Sequence, residues 1–276
     1  MKGPSRWFES IRRLHFSQIL KTTVNLILLD ERDCLDSSHV TVSDARAAHL
    51  LNVLKVTPGQ KVRVGLLDGP LGVGTVMSAK DSRVTLQCLF DADTPPRPQV
   101  DVLLALPRPK VMRRLWAQLA ALGVGQIILT NAARVERHYF DTHVVTEACY
   151  RPLLVEGMQQ ARDTRLPAVS IHRQFKVLVE DHLDTLFGAG LRLAAHTRGT
   201  TSAGSSVREH PDQRVLIAIG PEGGWNAFEV ALLEAHDFRH VSLGPRTLRV
   251  DTACTALLAI VHASIQEASD KIRRGC

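Results

Sequence analysis

Runs of apolar residues divide the chain into stretches of different period. Between Val24 and about Asp93 the runs are short and strand-like: 24–29, 61–66, 73–77 and 83–90 read as strands, with turns at Pro58-Gly59, Asp68-Gly69-Pro70 and Lys80-Asp81. Ser43 is placed to cap a short helix through Leu54 in which Leu50, Leu51 and Leu54 share a face. Short strands joined by tight turns predict a small β-barrel over residues 24–93. Thr94-Pro95-Pro96-Arg97-Pro98 ends that pattern, because its prolines continue neither a helix nor a central strand, and residues 94–99 read as a linker.

From residue 100 to 276 apolar runs alternate with helical stripes. Strands are expected at 102–106, 126–129, 191–195, 215–219 and 240–243, and helices at 109–123, 141–165 with an interruption near Pro152, and 177–187. Met112, Leu115, Leu119 and Leu122 form the stripe of the first helix, which Gly123 stops. Residues 197–211, rich in Ser, Thr and Gly, read as a surface loop. Asn226 with Glu229 three residues on is a capping-box pattern, opening a helix with Phe228, Ala231, Leu232 and Ala235 as its buried stripe. Thr252 is a candidate N-cap for a last helix, apolar on all sides over 256–265, which implies burial within the domain or against a second subunit. Strands alternating with helices predict an α/β domain with a mainly parallel sheet.

Composition narrows the setting. No apolar run approaches the roughly 20 residues that cross a bilayer, and no secretory signal is visible. Five scattered cysteines, Cys34, Cys88, Cys149, Cys254 and Cys276, with no C-x-x-C pair argue against a disulfide framework or a zinc site and for a reducing compartment. The net charge is +6, but residues 1–23 carry Lys2, Arg6, Arg12, Arg13 and Lys21 against Glu9 alone, so the body is nearly neutral. That basic extension reads as an organellar presequence, an RNA-binding arm or a segment without its own function; location is cytoplasmic, or organellar in the first case.

Two bends carry the candidate chemistry. Ile219-Gly220-Pro221-Glu222-Gly223-Gly224-Trp225 and Leu243-Gly244-Pro245-Arg246-Thr247-Leu248-Arg249 each follow an expected strand, where α/β sheets bind ligands. Neither matches the phosphate-binding patterns G-x-x-x-x-G-K-[ST] or G-x-G-x-x-G. The spacing of His236 and His240 lacks a third partner for a metal, and Ser205-Ser206 lacks the context of a hydrolytic nucleophile.

The pair of bends, read on through Val250-Asp251-Thr252-Ala253, resembles the signature of the RsmE family, the small-subunit (16S) ribosomal RNA uridine-N3 methyltransferases of the SPOUT superfamily. The likeness extends through Ala105-Leu106-Pro107-Arg108-Pro109-Lys110, Leu122-Gly123-Val124, Gln159-Gln160-Ala161-Arg162, Phe175-Lys176 and His49-Leu50-Leu51-Asn52-Val53-Leu54-Lys55, covering about residues 24–266. It implies a trefoil-knotted, mainly parallel α/β methyltransferase domain preceded by a PUA-like RNA-binding β-barrel. It implies a homodimer that includes the last helix, and ribosomal RNA or the 30S subunit as partner. It also implies S-adenosyl-L-methionine as cofactor, held by Ala195 and His196, by Ile219, Gly220, Pro221, Glu222 and Gly224, and by Leu243, Gly244 and Leu248.

Methylating N3 of a uracil requires loss of the imide proton and stabilisation of the resulting charge. Arg249 is the candidate for the latter and Asp251 for the base. Family members often carry glutamate where Asp251 stands, and a helix-capping carboxylate is its alternative role. Arg108, Lys110, Arg113, Arg114, Arg134, Arg137, Arg162 and Arg165 are candidate RNA contacts. A noncatalytic RNA-binding scaffold, or a methyltransferase acting on another base or a ribose hydroxyl, are the competing readings.

Overall fold

A computed structural model describes residues 26–33, 38–90, 92–197, 199 and 201–274. The basic extension, Cys34 and Cys276 lie outside the described residues. The chain divides into two compact units: one runs to Pro96 and takes in Arg162–Arg165, and the other holds Arg97–Ala161 and the chain from Leu166.

In the first unit β1 (Leu26–Leu29), β2 (His39–Val42), β3 (Lys61–Leu66), β4 (Leu71–Lys80) and β5 (Arg83–Leu89) form one sheet in the order β1-β3-β4-β5-β2. Only β1 and β3 pair in parallel. Alternate residues, among them Val62 and Val64 of β3 and Val84 and Leu86 of β5, point into the core. Strand β2 has no counterpart in the sequence-derived pattern; four residues are too few for a period to register, and β2 exists through its pairing with β5. Asp44 rather than Ser43 caps α1 (Ala45–Ala48), accepting from the Arg46 amide. The Arg46 guanidinium holds Asp44 in place, with Asp33 on its other side at 2.5 Å. A π-helical turn, His49–Val53, follows and buries Leu50, leaving Leu51 and Leu54 half-buried.

The placement of Arg162–Arg165 corrects the expectation that 100–276 forms a single block. Thr164 donates from its hydroxyl to the Gly69 carbonyl (2.6 Å) and accepts from the Asp68 amide (2.8 Å). A β-carbon on Gly65 would lie 2.6 Å from the Thr164 methyl, so the strand is bare where this segment crosses it.

The second unit holds a six-stranded sheet of β6 (Val100–Ala105), β7 (Val124–Thr130), β8 (Ala168–His172), β9 (Leu191–Ala195), β10 (Val215–Ile219) and β11 (Phe238–Val241). The order is β11-β9-β10-β6-β7-β8 and every pair is parallel. Strands β6 and β10 are buried throughout, as in a sheet covered on both faces; β10 is apolar along its length, and β6 is apolar except for Asp101, which pairs with Arg214. Edge strand β8, Ala-Val-Ser-Ile-His, is short and partly exposed along its length, and has no counterpart in the sequence-derived pattern.

The helices are α2 (Pro109–Ala121), α3 (Glu147–Ala161), the consecutive segments Phe175–Val177, Leu178–His182 and Leu183–Phe187 that together make α4, α5 (Ala203–Glu209), α6 (Ala227–Ala235) and α7 (Val250–Arg274). Several expectations are corrected here. Pro152 lies inside α3 without ending it; so near the N-terminus its missing N–H removes one hydrogen bond. The chain before α3 forms short 3-10 turns, Arg137–Asp141 and His143–Val145. Residues 197–211 are not all loop: α5 packs on α7, and a β-carbon at Gly204 would stand 2.8 Å from the Ser264 hydroxyl, so small residues serve close helix approach. In α6 the buried positions are Glu229, Leu232 and Leu233, while Phe228 is exposed. Strand β11 ends at Val241, two residues before the expected end. Helix α7 starts at Val250, so Thr252 is inside it and caps nothing. Its Cys254, Leu257, Leu258 and Val261 are buried, whereas Thr252, Thr255, Ala259 and Ala263 face outward.

Candidate functional site

Because β9, β10 and β11 are neighbours in a parallel sheet, their C-terminal loops emerge side by side at one edge. They enclose a cleft of about 120 Å³. All ten residues singled out for the cofactor line it: Ala195 and His196 from the first loop, Ile219, Gly220, Pro221, Glu222 and Gly224 from the second, Leu243, Gly244 and Leu248 from the third. Thr197, Val241, Ser242, Arg246 and Thr247 join them, as do Val250 and Ala253 one turn apart on α7. These last two are outside the sequence-derived set because α7 begins at Val250, ahead of the expected N-cap Thr252; their spacing of three, just after the bend, is the signal that finds them.

The loops are tied together by backbone. The His196 amide donates to the Val241 carbonyl at 3.0 Å, and the Ser242 amide to the Thr201 carbonyl at 3.1 Å. Gly224 turns back to donate to Pro221 (2.7 Å), and Gly244 takes φ +100°, a conformation side chains disfavour. Trp225 is buried behind Gly220 and stacks on Phe175 with centroids 5.1 Å apart. Apolar Ile219, Val241, Leu243 and Leu248 with bare backbone at Gly220 and Gly244 suit a flat heteroaromatic ring, and Glu222 and Arg246 offer both signs of charge to a zwitterionic chain. This residue set therefore fits S-adenosyl-L-methionine.

Leu248 and Val250 line the cleft, while Arg249 and Asp251, which alternate with them in sequence, are not among its lining residues. Arg249 is largely exposed, and its Nε lies 3.8 Å from Asp251 Oδ1; from α2, Arg114 reaches Asp251 Oδ2 at 3.1 Å. One carboxylate thus stands between two guanidiniums. Asp251 Oδ1 also accepts from the Thr252 amide at 3.0 Å, a local helix-start contact. One turn on, burial pushes the Cys254 thiol up to about 12, which keeps it protonated and unreactive.

The basic candidates are distributed unevenly. Arg108, Lys110 and Arg113 are exposed around the start of α2, and Arg137 is exposed in the turn after β7. The Arg108 amide donates to Glu222 Oε1 at 3.2 Å, and the Arg134 guanidinium donates to the Gly223 carbonyl. Arg162 and Arg165 belong to the first unit, where Arg165 is committed to the carbonyls of Pro95 (2.5 Å) and Asp68 (3.1 Å). Its guanidinium is therefore a fastener within the first unit. His240 Nε2 lies 3.2 Å from Glu234, and among the described residues no group of three or more His, Cys, Asp or Glu is placed to hold a metal. Among the described residues no helix is long and apolar enough to cross a membrane.

This architecture is shared with a solved structure. The ribosomal RNA small subunit methyltransferase E of Neisseria gonorrhoeae, bound to S-adenosyl methionine, superposes with a TM-score of 0.71 at 20% identity, covering 87% of this chain and 97% of that one. The fold is therefore the one seen in that structure, with a small barrel-like unit preceding the parallel α/β sheet in the chain. Residues 94–262 match the RNA methyltransferase domain model, and the chain belongs to that family. Among curated relatives, the ribosomal RNA small subunit methyltransferase E of Treponema pallidum is 28% identical over 255 residues, 91% of this chain and 95% of its own length. Ribosomal RNA small subunit methyltransferase E 1 of Borreliella burgdorferi is 25% identical over 226 residues, 82% of this chain and 92% of its own. These relatives carry the name that the resemblance of the two bends implies.

Proposed function

We propose that this protein is an S-adenosyl-L-methionine-dependent methyltransferase of small-subunit ribosomal RNA, and that its target atom is N3 of a uridine. The observation that carries the reading is the convergence of three strand-end loops on one cleft, with the Arg249–Asp251 pair adjacent in sequence to its lining residues Leu248 and Val250. The cofactor supplies a methyl group on a sulfonium, and the ten loop residues named above are the ones to hold it. Arg249 stabilises the negative charge that develops on the uracil oxygens as the N3 proton leaves. Asp251 is the candidate to receive that proton; its two guanidinium neighbours also suit it to holding Arg249 in place. N3 is engaged in a paired base, so the uridine is presented single-stranded or flipped out.

Arg108, Lys110, Arg113, Arg134 and Arg137 serve as phosphate contacts, and the first unit as a further RNA-binding module. Activity on ribosomal RNA places the protein in the ribosome-containing compartment. Outward-facing Thr255, Ala259, Ile260 and Ala263 on α7 are small or apolar, which supports a homodimer through that helix; sedimentation of the purified protein at twice the chain mass is the expected result.

Incubation with methyl-labelled S-adenosyl-L-methionine and small ribosomal subunits lacking the modification should label RNA, and nucleoside digestion should release 3-methyluridine. Label on another base or a ribose overturns the target assignment, and no label at all overturns the enzyme reading in favour of a binding scaffold.

A further inference from the structure

Glu229 does more than its capping box requires. The box uses one carboxylate oxygen: Oε2 accepts from the Asn226 amide at 2.8 Å, while the Glu229 amide donates to Asn226 Oδ1 at 2.8 Å. The other oxygen, Oε1, accepts from the Ala133 amide at 2.6 Å, across 96 residues of sequence. Glu229 is 3% exposed, and its carboxylate charge is offset by these two N–H donors and the start of α6.

Ala133 follows β7 and immediately precedes Arg134. That arginine lies across the cofactor bend: its guanidinium donates to the Gly223 carbonyl, and its Cδ sits 2.8 Å from where a Gly223 β-carbon would stand. The bend residue before it, Glu222, accepts from the Arg108 amide. Two strand-end loops that carry exposed cations are thus fastened to consecutive residues of the bend, and Glu229 is the buried anchor of one fastening.

Building on the function proposed above, we propose that Glu229 is a positioning residue for RNA: its second oxygen holds the Asn131–Arg134 loop against the cofactor bend, so that Arg134 presents its remaining guanidinium donors beside the cleft. A guanidinium has five N–H donors, and one on Gly223 leaves the others for a phosphate.

Glu229→Gln separates the two roles, because a glutamine has one acceptor oxygen and can complete the capping box but not also accept from Ala133. In the full-length protein the expected result is a KM for small-subunit RNA raised about tenfold, with kcat and the affinity for S-adenosyl-L-methionine each within about threefold of wild type. Deuterium exchange at the Ala133 amide should accelerate. Asn226→Ala is the control: it removes the helix cap and lowers Tm while leaving the Ala133 bond and the KM for RNA as they were. An unchanged KM for RNA in Glu229→Gln overturns the proposal, as does an equal rise in Asn226→Ala. If the wild-type protein transfers no methyl group, the function proposed above fails instead. RNA affinity and Ala133 exchange in Glu229→Gln then still decide this one, and wild-type values for both sink it.

Discussion

The two glycine bends that wall the cleft are built in opposite ways. Residues 220–226 are braced from behind: Trp225 is buried on Phe175, Arg108 and Arg134 grip Glu222 and Gly223, and Asn226 opens α6 through a complete capping box. Residues 244–249 are exposed in succession, and the bonds at the bend are local, such as the Gly244 amide to the Ser242 hydroxyl at 3.1 Å. A wall with deep packing holds its shape without a ligand, whereas one with few buried contacts draws its order from what it binds. The contrast separates positions where a substitution is read as lost stability from those where it is read as lost activity.

Trp225→Ala should show the largest effect, because it empties the space behind the braced wall. A loss of about 3–5 kcal/mol in unfolding free energy is expected, measured by denaturant titration, with cofactor affinity falling in parallel. A loss below roughly 1 kcal/mol would mean the braced wall is no firmer than the other. Arg249→Ala tests the open wall: methyl transfer should fall about a hundredfold or more, while Tm and cofactor binding stay at wild-type values, since the side chain is exposed. Retained turnover removes Arg249 from the chemistry.

Leu248→Ala is a milder probe of the same wall. The side chain is 37% exposed, so stability should change by less than about 0.5 kcal/mol, whereas cofactor affinity measured by calorimetry should weaken roughly three- to tenfold. Equal losses in both would erase the distinction between the walls. The smallest effect is a pH dependence. Burial holds the His262 imidazole below its ordinary 6.5, and burial with the neighbouring His182 does the same for His172. The folded protein then takes up fewer protons than the unfolded chain as pH falls below 6.5, so stability present above that value is lost toward acid. Tm should drop by roughly one to three degrees between about pH 7.5 and 5.5, and His262→Gln should flatten part of the drop.

How much could be read in advance follows the range of the interaction involved. The capping box of Asn226 and Glu229, strands β3, β9 and β10, and the loops after β9 and β10 were legible because neighbours in sequence suffice to specify them. Short β2 and short β8 were not, since each is a strand only by virtue of the partner it pairs with. Helix α5 looked like loop because its small polar residues have poor intrinsic helicity, and packing against α7 outweighs that.

By itself the sequence determined where the chain bends, which runs are buried on both faces, and that the two bends belong together. Only the tertiary structure decided that Arg162–Arg165 joins the first unit, that Phe228 faces solvent while Glu229 is buried, that Arg165 fastens carbonyls, and that Asp251 stands between two arginines. The physical reason is shared by all four. A backbone turn or an apolar period is set by residues a few positions apart, but the partner of a polar side chain is chosen among groups about a hundred residues away, brought near only when the sheet assembles.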